Sequence, residues 1–316
     1  MANKLTAQQI IDKFEFEVVH KGTPKKNFIT TSGIARIGIL LTTDLKLYYK
    51  QQNNIVGFGG TELLFFESSS HEKVKKAITR LKKFNPPLIL LNRSWNKEGI
   101  KKLVKLFGKT NITIASSHLD STALYIEVSP WVARQIAPTS QVHGTLMSIY
   151  GEGVLIVGDS GCGKSEAAME LIKTGHLFVG DDAIDVYNFG SSLYGHPSEI
   201  AKQFIEVRGL GVLDVGRMFG RQKTLSEAHI HMIVQLVNPE TSKTQLNKFE
   251  RVGAKQHYEV IRGVKIPKYY IPVTAGRPTA SLIESAVVDY KLKKQGYNSG
   301  KEFLQNFNKV LKKGGK

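Results

Sequence analysis

Val154-Leu-Ile-Val157 runs directly into Gly158-Asp-Ser-Gly-Cys-Gly163-Lys164-Ser165, and Ser165–Thr174 (SEAAMELIKT) follows, closed by Gly175. The pattern reads as apolar strand, glycine-rich loop and helix. The octet meets G-x4-G-K-[ST] at every fixed position. Its residue types follow from the chemistry. Glycines let the backbone wrap closely, so the N–H groups of Gly158, Asp159, Ser160, Gly161, Cys162 and Gly163 can face phosphate oxygens. The helix N-terminus adds partial positive charge. Lys164 can reach β- and γ-phosphates, and the Ser165 hydroxyl is placed to ligate Mg²⁺. A nucleoside triphosphate site in an α/β fold is the expectation. Cys162, the only cysteine, reads as a small filler of the loop.

Downstream, His176–Gly180 (HLFVG) ends in Asp181-Asp182. A strand ending in Asp is the usual acidic partner of such a loop. Two adjacent carboxylates are costly unless a cation neutralises one or a pKa rises. That suits one metal-side carboxylate and one general base; a solvated acidic turn is the structural alternative. Ile205–Asp214 (IEVRGLGVLD) reads as a mobile loop presenting Glu206 and Arg208 around Gly209, and taken alone it fits a plain β-hairpin equally well. By themselves, His143 fits a satisfied structural histidine and Arg251 a surface ion-pair partner.

Together these segments carry more. His143-Gly144, GDSGCGKS, GHLFVGDD, IEVRGLG, FERVG at Phe249–Gly253 and IPVTAGR at Ile271–Arg277 occur in this order. The set resembles the HPr kinase/phosphorylase family over about Ile136–Tyr290. The resemblance implies an ATP- and Mg²⁺-dependent enzyme that phosphorylates a serine of HPr, the phosphocarrier of the sugar phosphotransferase system. It also implies the reverse, phosphorolysis of phosphoserine-HPr by phosphate to give pyrophosphate. Motif by motif, it implies catalytic roles for His143, Lys164, Asp182 and Arg251, with Asp182 taking and returning the serine proton. It implies Mg²⁺ ligation by Ser165 and Glu206. It makes Ile205–Asp214, with Arg208 and Gly209, important for both activities, and Pro272–Arg277, with Pro272 and Arg277, for dephosphorylation. A homohexamer is implied as well. The family's last segment usually reads close to PVRPGR; Thr274 and Ala275 stand here for its Arg and Pro. Where Cys162 stands, the family usually has an aliphatic residue.

The rest of the chain bounds the reading. Its 316 residues suggest about two domains. The fold expected is α/β, with an N-terminal α/β domain over 1–134 and a C-terminal P-loop kinase domain with a mixed β-sheet core over 135–316. In the first third, Ile34–Thr43, Leu63–Phe66, Pro87–Leu91 and Asn111–Ala115 read as strands, and His71–Phe84 and Gly99–Phe107 as helices. Pro130 and Pro138 mark the expected boundary region. A single cysteine excludes an intramolecular disulfide, and no stretch approaches the roughly 20 apolar residues of a membrane span. Met1–Gln9 lacks a basic and then apolar pattern, so a cytoplasmic protein without membrane attachment is expected.

The net charge is +17, which raises nucleic acid as a partner. It sits in two stretches: His71–Lys109 carries +10 and Lys291–Lys316 carries +7. Val74, Ile78 and Leu81, and later Phe303, Phe307 and Val310, recur at helical spacing between the lysines. These are solvated faces of surface helices, without an aromatic stacking platform, and no nucleic-acid partner is expected. Two rivals stay distinct: another P-loop NTPase without a protein substrate, and an ATP-using nucleic-acid-binding protein. GTP preference without a phosphoprotein product would mark the first, and a steep salt slope in DNA or RNA binding the second.

Overall fold

The computed structural model describes residues 4–23, 28–36, 53–238, 253–274 and 276–314. Residue contacts divide the chain into two compact units, Met1–Pro138 and Thr139–Lys316.

In the first unit, helix α1 (Ala7–Phe14) and strand β1 (Glu17–His20) precede β2 (Ile34–Arg36) and β3 (Ile55–Phe58). Helices α2 (Gly60–Ser68) and α3 (His71–Phe84), β4 (Leu88–Leu91), α4 (Lys97–Phe107), β5 (Thr113–Ser116) and α5 (Ser121–Ile136) follow. The sheet order is β1-β5-β4-β3-β2; β2 to β5 are parallel and β1 is an antiparallel edge. All of Leu88–Leu91 is buried because both faces are covered. Ile89 and Leu91 pack with Val74, Ile78 and Leu81 of α3 and Leu103 of α4. Leu88 and Leu90 pack with Ile10 of α1 and Val128 of α5.

Several readings change here. Leu63–Phe66 is not a strand but lies in α2. A short apolar run fits either state by pattern alone. Glu62 decides it: its Oε2 accepts the Gly59 N–H at 2.7 Å and fastens the first helical turn. The strand is the preceding Ile55–Phe58. Of Ile34–Thr43, Ile34–Arg36 is strand and the remainder lies outside the described residues. Pro130 sits inside α5 instead of interrupting it.

The second unit opens with β6 (Ser140–His143), β7 (Thr145–Ile149), β8 (Glu152–Val157) and α6 (Lys164–Lys173). Next come β9 (Leu177–Gly180), β10 (Ala183–Phe189), β11 (Ser192–Pro197), the pair β12 (Phe204–Val207) and β13 (Gly211–Asp214), and α7 (Val215–Phe219). It ends with β14 (Ala228–Val237), β15 (His257–Ile261), β16 (Val264–Pro272), α8 (Thr279–Lys294) and α9 (Ser299–Gly314). The main sheet runs β6-β10-β11-β14-β8-β7-β9, with β16 also on β14 and β15 on β16. It is mixed: β14 is parallel to β8 and β16, whereas β7 is antiparallel to β8 and β9. The parallel strands bring the loop after β8 and the segment after β16 to one sheet edge. Leu171 and Ile172 of α6, with Ile283 and Val287 of α8, cover Met147, Ile156, Phe178 and Val234.

The basic C-terminal stretch takes in the last turn of α8 and, beyond Gly296, α9. On α9, Phe303, Phe307 and Val310 are all exposed. Among the described residues, no helix is long and apolar enough to cross a membrane.

Candidate active site

The loop after β8 closes through two left-handed glycines, Gly161 (φ 78°) and Gly163 (φ 85°), a region where a Cβ is strained. Gly158 has a different reason to lack a side chain. A Cβ there would stand 2.7 Å from Cys162 Sγ and 2.7 Å from the Leu236 carbonyl oxygen. The thiol thus fills the loop's interior, and burial pushes its pKa up, as a filler requires. Lys164 folds back on the loop, its Nζ donating to the carbonyls of Gly158 at 2.9 Å and Asp159 at 3.1 Å. No side chain caps the N-terminus of α6.

The two aspartates lie in the short bend between β9 and β10. Asp182 is left-handed (φ 65°), a conformation Asp tolerates better than most residues. The Gly144 N–H donates to the Asp182 carbonyl at 3.1 Å, and the Ala183 N–H to the Asp181 carbonyl at 2.8 Å. This bend sends the two carboxylates apart. Asp181 is 5% exposed, and its Oδ2 accepts the Ser165 hydroxyl at 2.8 Å. Its Oδ1 accepts the hydroxyl of Thr145. The Asp182 side chain is 82% exposed, with His143 Nδ1 3.9 Å from its Oδ1. That distance is an electrostatic neighbour's, beyond a hydrogen bond. Gly144 lets β7 approach β8, since a Cβ there would lie 2.6 Å from the Ile156 carbonyl oxygen.

Ile205–Asp214 is a β-hairpin, the plain alternative to a mobile loop, with Glu206 opposite Val212 and a left-handed Gly209 in its turn. Ile205 and Val207 point into the core while Glu206 and Arg208 are exposed. Glu206 and Arg208 line one pocket of about 300 Å³ with Ser160, Lys164, Ser165, Asp181 and Asp182.

Of the expected site residues, the structure thus gathers the loop, both aspartates, Glu206 and Arg208, with His143 beside Asp182. Pro272 ends β16 at the same sheet edge, and exposed Arg277 donates its N–H to the Thr274 carbonyl at 3.2 Å; neither is among the pocket's lining residues. Arg251 and Ala275 lie outside the described residues. Sequence reading missed Thr145 and Glu166. Glu166 lines the pocket from the first turn of α6, where a two-residue spacing from Lys164 gives no shared-face signal. Thr145 left no local signal, because its partner is 36 residues away.

The pocket's possible metal ligands are oxygens: the hydroxyls of Ser160 and Ser165 and the carboxylates of Glu166, Asp181, Asp182 and Glu206. Among the described residues, no group of three or more His, Cys, Asp or Glu side chains forms a metal cage. That donor set suits Mg²⁺, which usually takes one or two protein ligands and completes its shell with water and phosphate.

Comparison with known proteins covers nearly the whole chain. The model for the HPr Serine kinase N terminus matches residues 5–132, and that for the HPr Serine kinase C-terminal domain matches residues 134–307. The HPr kinase/phosphorylase of Mycoplasma pneumoniae is 35% identical over 312 residues, 98% of this chain and 98% of its own. That of Limosilactobacillus reuteri is 33% identical over 313 residues, 99% of this chain and 95% of its own. The solved Hpr(Ser) kinase/phosphatase from Coxiella burnetii is 30% identical, with 49% of this chain and 99% of that chain covered and a TM-score of 0.45.

Proposed function

The chain belongs to the HPr kinase/phosphorylase family, and on that premise we propose that it is a bifunctional enzyme acting on HPr. It transfers the γ-phosphoryl of ATP to a serine of HPr and removes it by phosphorolysis. The observation that carries this reading is the sorting of Asp181 and Asp182 at one phosphate-binding loop. A buried carboxylate holds the loop serine while an exposed one faces outward, where a protein hydroxyl can reach it.

The Asp182 carboxylate takes the proton from the serine hydroxyl as that oxygen attacks phosphorus, a contribution typically of about 10²- to 10⁴-fold. His143 lies close enough to bias the Asp182 charge and to contact a phosphate oxygen. Lys164 leaves its loop carbonyls to meet the β- and γ-phosphates. Arg208, and Arg251 by family resemblance, add positive charge. Ser165 and Glu206 would hold Mg²⁺, which neutralises charge on the β/γ oxygens when bound. In reverse, inorganic phosphate attacks phosphoserine, the phosphorus–serine oxygen bond breaks, and pyrophosphate forms. Asp182 then returns its proton to the serine oxygen. Pro272, at the end of β16 on the sheet edge that carries the loop, supports a role for the Pro272–Arg277 segment in this direction.

By the same resemblance the enzyme is a cytoplasmic homohexamer, and the exposed apolar residues of α9 offer surface for a subunit contact. The test is direct. Incubation with ATP, Mg²⁺ and purified HPr is expected to give phosphoserine-HPr, and subsequent phosphate to give pyrophosphate. Nucleotide hydrolysis without a phosphoprotein would overturn the reading.

A further inference from the structure

Thr145 is the first residue of β7 and is fully buried. A buried hydroxyl needs a partner, and this one donates to Oδ1 of Asp181. The other oxygen of that carboxylate accepts the Ser165 hydroxyl at 2.8 Å. The three side chains therefore form a line: Thr145 to Asp181 to Ser165. A serine that ligates a cation does so through an oxygen lone pair, so its proton must be directed elsewhere. Asp181 accepts that hydrogen in a hydrogen bond at Oδ2, in the rotamer that keeps Oδ2 toward the loop. The Ser165 hydroxyl engages one oxygen from the loop side, and Thr145 holds the other from the opposite side.

The backbone around Thr145 makes this anchor firm. Its neighbour Gly144 holds the Asp182 carbonyl at 3.1 Å. Leu146, the next residue, pairs with Gly180 just ahead of the two aspartates. The dipeptide Gly144-Thr145 thus grips both carboxyl-bearing residues: the backbone of one through an N–H, the side chain of the other through a hydroxyl.

We infer that Thr145 is a positioning residue that presets the cation side of the site by holding Asp181 against Ser165. The inference rests on the proposed reading of the loop as an Mg²⁺–nucleotide site. Partners of this kind behind metal ligands typically change metal affinity by roughly 10–100-fold when removed.

The variants Thr145→Val and Thr145→Ser test it. Mn²⁺ binding is followed by electron paramagnetic resonance with a non-hydrolysable ATP analogue present. Analogue binding is measured separately in EDTA. Valine keeps the shape and removes the donor; it is expected to weaken Mn²⁺ about tenfold and leave the EDTA affinity unchanged. Serine restores the donor and is expected to restore Mn²⁺ binding. A valine variant that binds Mn²⁺ like the parent would overturn the inference alone. So would equal losses with and without metal, or a serine variant as weak as valine. If valine does not fold, the serine and Thr145→Ala variants decide by the same two readouts. A parent protein that binds neither analogue nor Mn²⁺ would overturn the loop reading, and the inference with it.

Discussion

Helices α5 and α6 both begin just beyond the carboxyl end of a strand, and their N-termini are treated in opposite ways. Asp120 caps α5, its Oδ1 accepting the N–H groups of Thr122 and Ala123 at 2.9 Å each. Elsewhere in the first unit Asn96 caps α4 and Glu62 fastens the start of α2. At α6 the cap position is Gly163, which has no side chain, and the first-turn residues line a pocket. The first N–H groups of any helix lack internal partners and must find them in a side chain, water or a ligand. At α5 the sequence supplies the acceptor in Asp120; at α6 Gly163 supplies none, which on the proposed reading leaves that place to a phosphate. The same strand–turn–helix unit thus becomes scaffold or site according to one position.

If that contrast is sound, removing an acid from each unit has opposite effects. The largest effect is expected at Asp182. Asp182→Asn retains the left-handed bend, which Asn also tolerates, but removes the base. Phosphorylation of HPr and phosphorolysis should both fall by about 10²-fold or more, while nucleotide binding and thermal stability hold. Normal turnover by this variant would break the assignment. The next effect is at the open helix end. Gly163→Ala places a Cβ on a φ of 85°, a strain of roughly 1–2 kcal/mol. Nucleotide affinity should drop about tenfold, since the loop must hold that conformation to bind phosphate. Equilibrium titration with a fluorescent ATP analogue measures it.

The converse belongs to the first unit. Asp120→Ala should cost about 1 kcal/mol of stability in urea unfolding and leave nucleotide affinity untouched. Arg93 Nη2 lies 3.6 Å from the Asp120 carboxylate, but both groups are substantially exposed, so the cap and not the ion pair should dominate. A loss of affinity without a loss of stability would reverse the two roles.

The contrast also explains what was legible in the sequence. The loop, its strand and its helix are contiguous, so their chemistry shows in one short window. The hairpin pattern at Ile205–Asp214 fitted two readings, and it took the burial of Ile205 and Val207 to decide between them. Leu63–Phe66 reads as a strand because four apolar residues carry no period; the Glu62 contact that starts the helix is local, one residue ahead of that window. The sorting of Asp181 from Asp182 was expected as a division of labour. Which residue enforces it was not legible, since Thr145 reaches Asp181 only through the pairing of β7 with β9.

The smallest expected effect concerns acid, and it sets one imidazole of each unit against the other. His20 on β1 is held below the usual imidazole pKa by burial and then by the charge of Lys82. His231 on β14 is lowered by burial, then by its neighbour His229, with Lys294 adding to the effect and Glu152 opposing it. His231 Nδ1 also accepts the Gly153 N–H at 2.8 Å, which requires that nitrogen to be unprotonated. In both units the unfolded chain therefore binds the proton more readily. Stability is full above the unfolded imidazole pKa of about 6.5, and it falls as pH drops from there toward the lowered folded values. Only His231 has a carboxylate facing it, Glu152 Oε2 at 3.3 Å, so part of its proton uptake is offset. Urea midpoints at pH 7.5, 6.5 and 5.5 should fall with acid in the parent protein. Both His20→Gln and His231→Gln should flatten that fall by a fraction of a proton. Curves parallel to the parent's would show that neither imidazole is linked to folding.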